Sequence, residues 1–183
     1  SSERDFDGVT ELRAALADKA EEFRDIIKMG RTQLQDAVPM TLGMEFAAYA
    51  ETLSEDMMRM GEARNLIAEI NMGATAIGTG INSPVGYAEL VTRRLREVSG
   101  VPVSMASNMV EATWDTGAYV QLSGVLKRCA SKISKICNDL RLLSSGPRCG
   151  LNEINLPMRQ PGSSIMPGKV NPVMPEVMNQ ICF

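Results

Sequence analysis

The chain has 183 residues, a formal net charge of −3 and 44% hydrophobic residues, enough for one domain with a sizeable core. Acidic and basic residues are mixed with no basic stripe, which argues against nucleic acid as a partner, and no apolar run reaches bilayer-spanning length. There is no histidine, which excludes Ser-His-Asp triads, Cys-His pairs and nearly all structural zinc arrangements. Proton chemistry then falls to Ser, Lys, Glu, Asp or Tyr.

Aromatic residues make up only 4% while methionines number 13, a balance that favours helix over sheet. The sequence opens at Ser1 with no methionine or signal peptide and stops at Phe183 inside a helix just begun, so it reads as a piece of a longer protein. A first helix is expected over about 6–29, with Asp7 as its N-cap. Val9, Leu12, Leu16, Ala20, Phe23 and Ile27 share one helical face, and Gly30 supplies the stop. Residues 30–40 read as a polar loop closed by Pro39. Thr41 can cap a second helix running to about Asn71, where Leu42, Phe46, Tyr49, Leu53, Met57, Met60, Ala63, Ile67 and Ile70 follow coiled-coil spacing. At roughly 30 residues it would be about 45 Å long, more than a compact domain needs.

Residues 72–84 break the pattern with Gly73, Gly78 and Gly80. The glycine spacing lacks the Lys-Ser/Thr of a P-loop and no strand precedes it, so a nucleotide site has little support. The stretch is either a helix-breaking turn or a second polar wall of a site, carrying Thr79 and Asn82. A short helix over 87–98 ends at Gly100 and Pro102. Another long helix is expected over about 107–145, ended by Gly146-Pro147, with Ala118, Leu122, Val125, Cys129, Ile133, Ile136, Leu140 and Leu143 on one stripe. Lys127, Arg128, Lys132 and Lys135 fall mostly off that stripe and read as a solvated or subunit-facing surface. Cys129 and Cys137 lie on one face as core thiols, and the four scattered cysteines suit a reducing, cytoplasmic compartment. No stretch shows convincing strand alternation. The expected fold is all-α, a long antiparallel helix bundle over 1–183 whose exposed apolar stripes call for oligomerisation.

The remaining segment, Pro161-Gly162-Ser163-Ser164-Ile165-Met166-Pro167-Gly168-Lys169-Val170-Asn171-Pro172, is irregular and polar. Such a run is more often a linker than a site. Gly162 and Gly168 can hinge, and the prolines keep helix out of it. A new helix opens at Pro172 with Glu176 in its first turn, so the loop ends at a positive helix terminus suited to a carboxylate or phosphate. Thr32, Gln33, Asn82, Ser163, Ser164, Lys169 and Asn171 are donors that can hold a dicarboxylate, with Lys169 balancing one charge. Ser163 and Ser164 read slightly better as ordinary loop hydroxyls or caps. The alternative is a serine base, which needs N–H donors and a cation in a dry, closed site.

Gly162-Ser163-Ser164-Ile165-Met166-Pro167-Gly168-Lys169-Val170-Asn171 resembles the G-S-S-x-M-P-x-K-x-N signature of the aspartase/fumarase superfamily, a long and specific motif. The stretches 30–37 and 73–82 resemble two further motifs of the superfamily, in matching order. Residues 135–148 and 150–157 look most like its aspartate-deaminating members. Gln33 leans the same way, since the hydrating members usually have His there. The resemblance implies conversion of L-aspartate to fumarate and ammonia without cofactor or metal, in a homotetramer whose sites draw on three subunits. Ser163 would take the proton next to the β-carboxylate. Thr32, Gln33, Ser164, Lys169 and Asn171 would hold substrate, with Glu176, Thr79 and Asn82 in support. It also implies a loop that closes over substrate, and a central helical domain without the superfamily's N-terminal and C-terminal domains. A hydrating or other fumarate-releasing member, or a non-catalytic helical scaffold, are the competing readings.

Overall fold

Apolar side chains at helical spacing bury one face of each long helix in the computed structural model, which describes residues 4–183 and side chains from residue 7 onward. The elements are α1 (Arg4–Glu22), β1 (Ile27–Thr32), β2 (Gln35–Thr41), α2 (Leu42–Ile67), β3 (Glu69–Ile70), α3 (Tyr87–Ser99), β4 (Ser104–Met105), α4 (Glu111–Trp114), α5 (Gly117–Leu143) and α6 (Val173–Ile181). The fold is a helical bundle, as its apolar periodicity requires. The chain divides into two compact units: residues up to Met57 together with Lys127–Phe183, and Met58–Leu126. No helix among the described residues is long and apolar enough to cross a membrane.

In the first unit, Leu16, Leu42, Phe46, Tyr49, Ala50, Leu53, Ile136, Leu143 and Ile154 form one buried cluster, flanked by Val9, Leu12, Ala20 and Phe23. Phe23 meets Phe46 edge to face at 5.2 Å between ring centres, a favoured aromatic geometry. Thr41 caps α2 as expected, its Oγ1 accepting the Met44 N–H at 3.2 Å. In the second unit, Glu69-Ile70 pairs in parallel with Ser104-Met105, and the Arg96 guanidinium donates to the Val103 carbonyl. Gly78 is buried there against Val110, where a side chain would collide with backbone. Gly100 ends α3 in the left-handed region, as its place after the apolar stripe requires.

The first helix is shorter than its apolar stripe. It ends at Glu22, starts early enough to place Asp7 inside it rather than at its cap, and leaves Ile27 79% exposed. Residues 27–41 instead form an antiparallel hairpin, with Ile27 opposite Thr41 and Thr32 opposite Gln35. Gly30 is therefore no helix stop. It sits at the irregularity between Met29 and Arg31, where a Cβ would lie 2.9 Å from the Val38 carbonyl oxygen. Strand alternation is masked here because the bulge at residue 30 changes which face the side chains take.

The long helix expected over 107–145 is two helices. Asp115 is extended (ψ 133°), and its carboxylate accepts the Gly117 N–H at 3.1 Å, a local bond that competes with helix. α2 stops at Ile67 because the next residues pair as β3. Arg128 and Lys132 do not form a plain solvated surface. Arg128 Nε and Lys132 Nζ lie 3.0 and 3.2 Å from Oδ1 of the fully buried Asp56, and both also reach Glu55. Cys129 and Cys137 are buried and free, and burial pushes both thiols up.

Leu53 has no exposed surface at the centre of the first unit's core. Leu53→Ala is expected to cost about 3 kcal/mol, read as a lower urea midpoint at unchanged slope. Val85→Ala, at a fully exposed side chain, should shift stability by less than about 0.5 kcal/mol. Equal shifts in the two variants would refute this placement of the core.

Candidate functional site

The signature loop folds back on itself. The Lys169 carbonyl lies against Gly162 so closely that any side chain at 162 would collide with it. Asn171 Nδ2 donates to the Gly162 carbonyl at 3.0 Å. Of the two expected hinge glycines, only Gly168 uses the left-handed region (φ +79°); Gly162 serves by its lack of a side chain. Within the loop, Ser163 is half-buried, and its Oγ accepts the backbone N–H groups of Ile165 (3.1 Å) and Met166 (3.3 Å). Ser164 is exposed, as is Glu176 in the first turn of α6.

Ser163, Lys169 and Arg159 line one cavity of about 390 Å³ with Met158 and Met166. Lys169 also lines a neighbouring cleft of about 620 Å³ with Asn171, Arg141, Asn138 and Asn155. Among the described residues, Arg141, Arg148, Arg159 and Lys169 take part in no ion pair. Of these, Arg159 and Lys169 share the cavity with Ser163, whose lining among the described residues includes no carboxylate. That suits an anionic ligand.

The hairpin carries the second group. Gln33 and Leu34 form its two-residue turn with φ of 51° and 63°, strained values for residues with side chains. Thr32 is exposed at the end of β1. Gln33 lines a cavity of about 310 Å³ with Lys28, Arg31, Glu45, Lys135 and Asp139. Around it Glu153 accepts from Arg31 and lies 3.0 Å from Lys28 Nζ, while Lys28 also pairs with Glu45. The Tyr49 hydroxyl lies 2.9 Å from Asp139 and 3.2 Å from Glu45, and Lys135 pairs with Asp139. Burial opposes ionisation of Glu153, but bonds from Arg31 and Lys28 prevail and hold its carboxyl below the usual range. Burial, then the flanking Glu45 and Asp139, push the Tyr49 phenol far up, so it stays neutral.

The structure thus brings Ser163 to Lys169, and Gln33 to an ion network, but Ser163 and Gln33 line different cavities. Thr79 and Asn82 belong to the second unit, both exposed, with Asn82 at φ 65°. Sequence reasoning missed Arg159 and the Lys28-Arg31-Glu45-Glu153 network. The spacing of four between Glu45 and Tyr49, and between Lys135 and Asp139, was its one local signal.

Residues 5–183 match the family described as Lyase. The chain belongs to this lyase family. It is 66% identical over 172 residues to the aspartate ammonia-lyase of Helicobacter pylori, covering 94% of this chain and 37% of that protein. The chain therefore spans little more than a third of the length of the curated relatives it matches. A solved fumarate lyase:delta crystallin from Brucella melitensis bound to cobalt superposes with a TM-score of 0.91 at 59% identity, over 95% of this chain and 38% of that one. A class II fumarase from Schistosoma mansoni superposes at 0.86 with 38% identity, over 95% and 40%. The resemblance carried by the signature residues holds, and the fold is a helical bundle that includes the β1–β2 hairpin.

Glu153 generates a pH dependence in this lyase chain. Its folded pKa lies below the ordinary value of 4.5, so the unfolded chain binds more protons between the two values. Its contribution is complete above about pH 4.5 and is lost as pH falls through the folded value. Glu153→Gln should cost about 2 kcal/mol at neutral pH and flatten the acid limb of a plot of stability against pH. An unchanged acid limb would exclude Glu153 as its source.

Proposed function

We propose that this chain supplies the proton-abstracting loop and part of the substrate cradle of an enzyme that reversibly deaminates L-aspartate to fumarate and ammonia. The observation that carries this is the pair of backbone N–H donors on Ser163 Oγ, in a cavity that Lys169 also lines. A serine hydroxyl is a poor base because its alkoxide is too unstable at neutral pH. Two N–H donors and a nearby cation stabilise the alkoxide, and exclusion of water strengthens both effects. Ser163 then removes the proton from the carbon next to the β-carboxylate. The electron pair moves into that carboxylate as an aci-carboxylate dianion, then returns to form the double bond as the C–N bond breaks and ammonia leaves. No redox step or cofactor is needed.

Lys169 balances one substrate carboxylate, while Ser164, Asn171, Thr32 and Gln33 supply further donors. Glu176, Thr79 and Asn82 support them. The proposed site is composite, because Ser163 and Gln33 line different cavities of one chain and meet only across copies in a homotetramer. Met174, Val177 and Ile181 on α6 are left exposed at helical spacing, which supports such an assembly. The relatives bear on the substrate: 66% identity to an aspartate ammonia-lyase, against 38% to a class II fumarase. The proposed compartment is the cytoplasm, where the free cysteines stay reduced.

Fumarate absorbance after adding L-aspartate or L-malate to the full-length protein tests the reading. Release from aspartate is expected; release from malate alone identifies a hydratase, and release from neither a scaffold. Ser163→Ala should lower kcat by about 10³-fold with assembly intact, and wild-type turnover would remove Ser163 from the mechanism. Lys169→Ala should raise KM by about tenfold, worth about 1.4 kcal/mol of binding; an unchanged KM would contradict its role.

A further inference from the structure

The Gly162 carbonyl belongs to the same planar peptide unit as the Ser163 N–H. Whatever holds that oxygen fixes the plane from which the Ser163 side chain departs. Asn171 holds it, nine residues along the chain, through Nδ2 at 3.0 Å. The second closure is the backbone approach of Lys169 to Gly162, which leaves no space for a Cβ. The loop is therefore pinched at a neck made by 162 on one side and 169–171 on the other. Ser163 is the first residue inside, its Oγ turned back onto the N–H groups of Ile165 and Met166.

We infer that Asn171 is a positioning residue for Ser163. It clasps the neck through the Gly162 carbonyl and keeps the hydroxyl on its two N–H donors before substrate arrives. This goes beyond the substrate contact proposed for Asn171 and is compatible with it, because a side-chain amide carries two N–H groups and the clasp uses one. It also gives Gly162 a task other than hinging: a side chain there forces the neck open. Both substitutions should therefore disturb the same geometry, although Gly162 offers no side chain to a substrate.

The test has two arms in the full-length protein. Without substrate, hydrogen exchange at the Ile165 and Met166 amides should quicken by about tenfold or more in Asn171→Ala and in Gly162→Ala, with the thermal midpoint within a few degrees of wild type. Unchanged exchange at these amides in a folded Asn171→Ala variant overturns the clasp, whatever the kinetics. With substrate, where the inference rests on the proposed lyase reading, Gly162→Ala should lower kcat about tenfold or more while KM stays within about twofold. Asn171→Ala should lower kcat as well as raise KM. A raised KM alone, at wild-type kcat, reduces Asn171 to a substrate contact and overturns the positioning role. Quickened exchange in a protein that turns over neither aspartate nor malate leaves the clasp standing and removes the lyase reading instead.

Discussion

Two cations on one half-buried carboxylate hold the site region together. Glu153 is bonded by Arg31 and approached by Lys28, both on β1, and Lys28 is shared with Glu45 on α2. Glu153 is also fixed through its backbone, since its N–H and that of Ile154 donate to the Leu143 carbonyl at the end of α5. Ile154 is buried in the core beside Leu143. The hairpin, α2, the end of α5 and the chain leading to the signature loop therefore meet at one charge. Removing a carboxylate from such a cluster leaves partly buried ammonium and guanidinium groups facing each other, which is why its loss reaches further than that of a surface pair.

The same bond shapes the electrostatics of the loop. Between Leu140 and Pro175 the sequence holds four cations, Arg141, Arg148, Arg159 and Lys169, and one acid, Glu153. That acid is already committed to the hairpin. Among the described residues, none of the four cations pairs with a carboxylate, although the chain as a whole is negative. An anion entering this region would supply the missing charge, so the pull on the proposed dicarboxylate substrate would follow from where Glu153 is directed as much as from Lys169 itself.

The helical faces were legible because burial repeats at a fixed period, and Leu16, Phe46, Leu53 and Ile136 fall where that period puts them. The signature loop was legible because its residue types are contiguous. The hairpin was not. Its turn is Gln33-Leu34, without the Asn-Gly or Asp-Gly that normally announces two positive φ angles, and its tie to Glu153 spans 122 positions. Asp56 between Arg128 and Lys132, and the Lys169 carbonyl against Gly162, are likewise distant pairings that no local pattern encodes. Gln33 was picked out as a donor in a polar break and for its resemblance to a motif, whereas its strained backbone is visible only in three dimensions.

The proposed serine base suits a loop for a reason of backbone chemistry. In a helix interior every N–H is already given to the carbonyl four residues earlier, and a serine there can only bond back to a carbonyl, which disfavours its alkoxide. Pro161, Pro167 and Pro172 keep the signature segment out of helix, and so leave the Ile165 and Met166 N–H groups free for Ser163. The cost is a backbone that no helical hydrogen bonds hold in this geometry. The neck at Gly162 and Asn171 limits that loss by closing the loop at its base rather than along its length. Free N–H groups inside and a fixed closure at the neck are thus complementary requirements: the first gives a serine its chemistry, and the second keeps it in place.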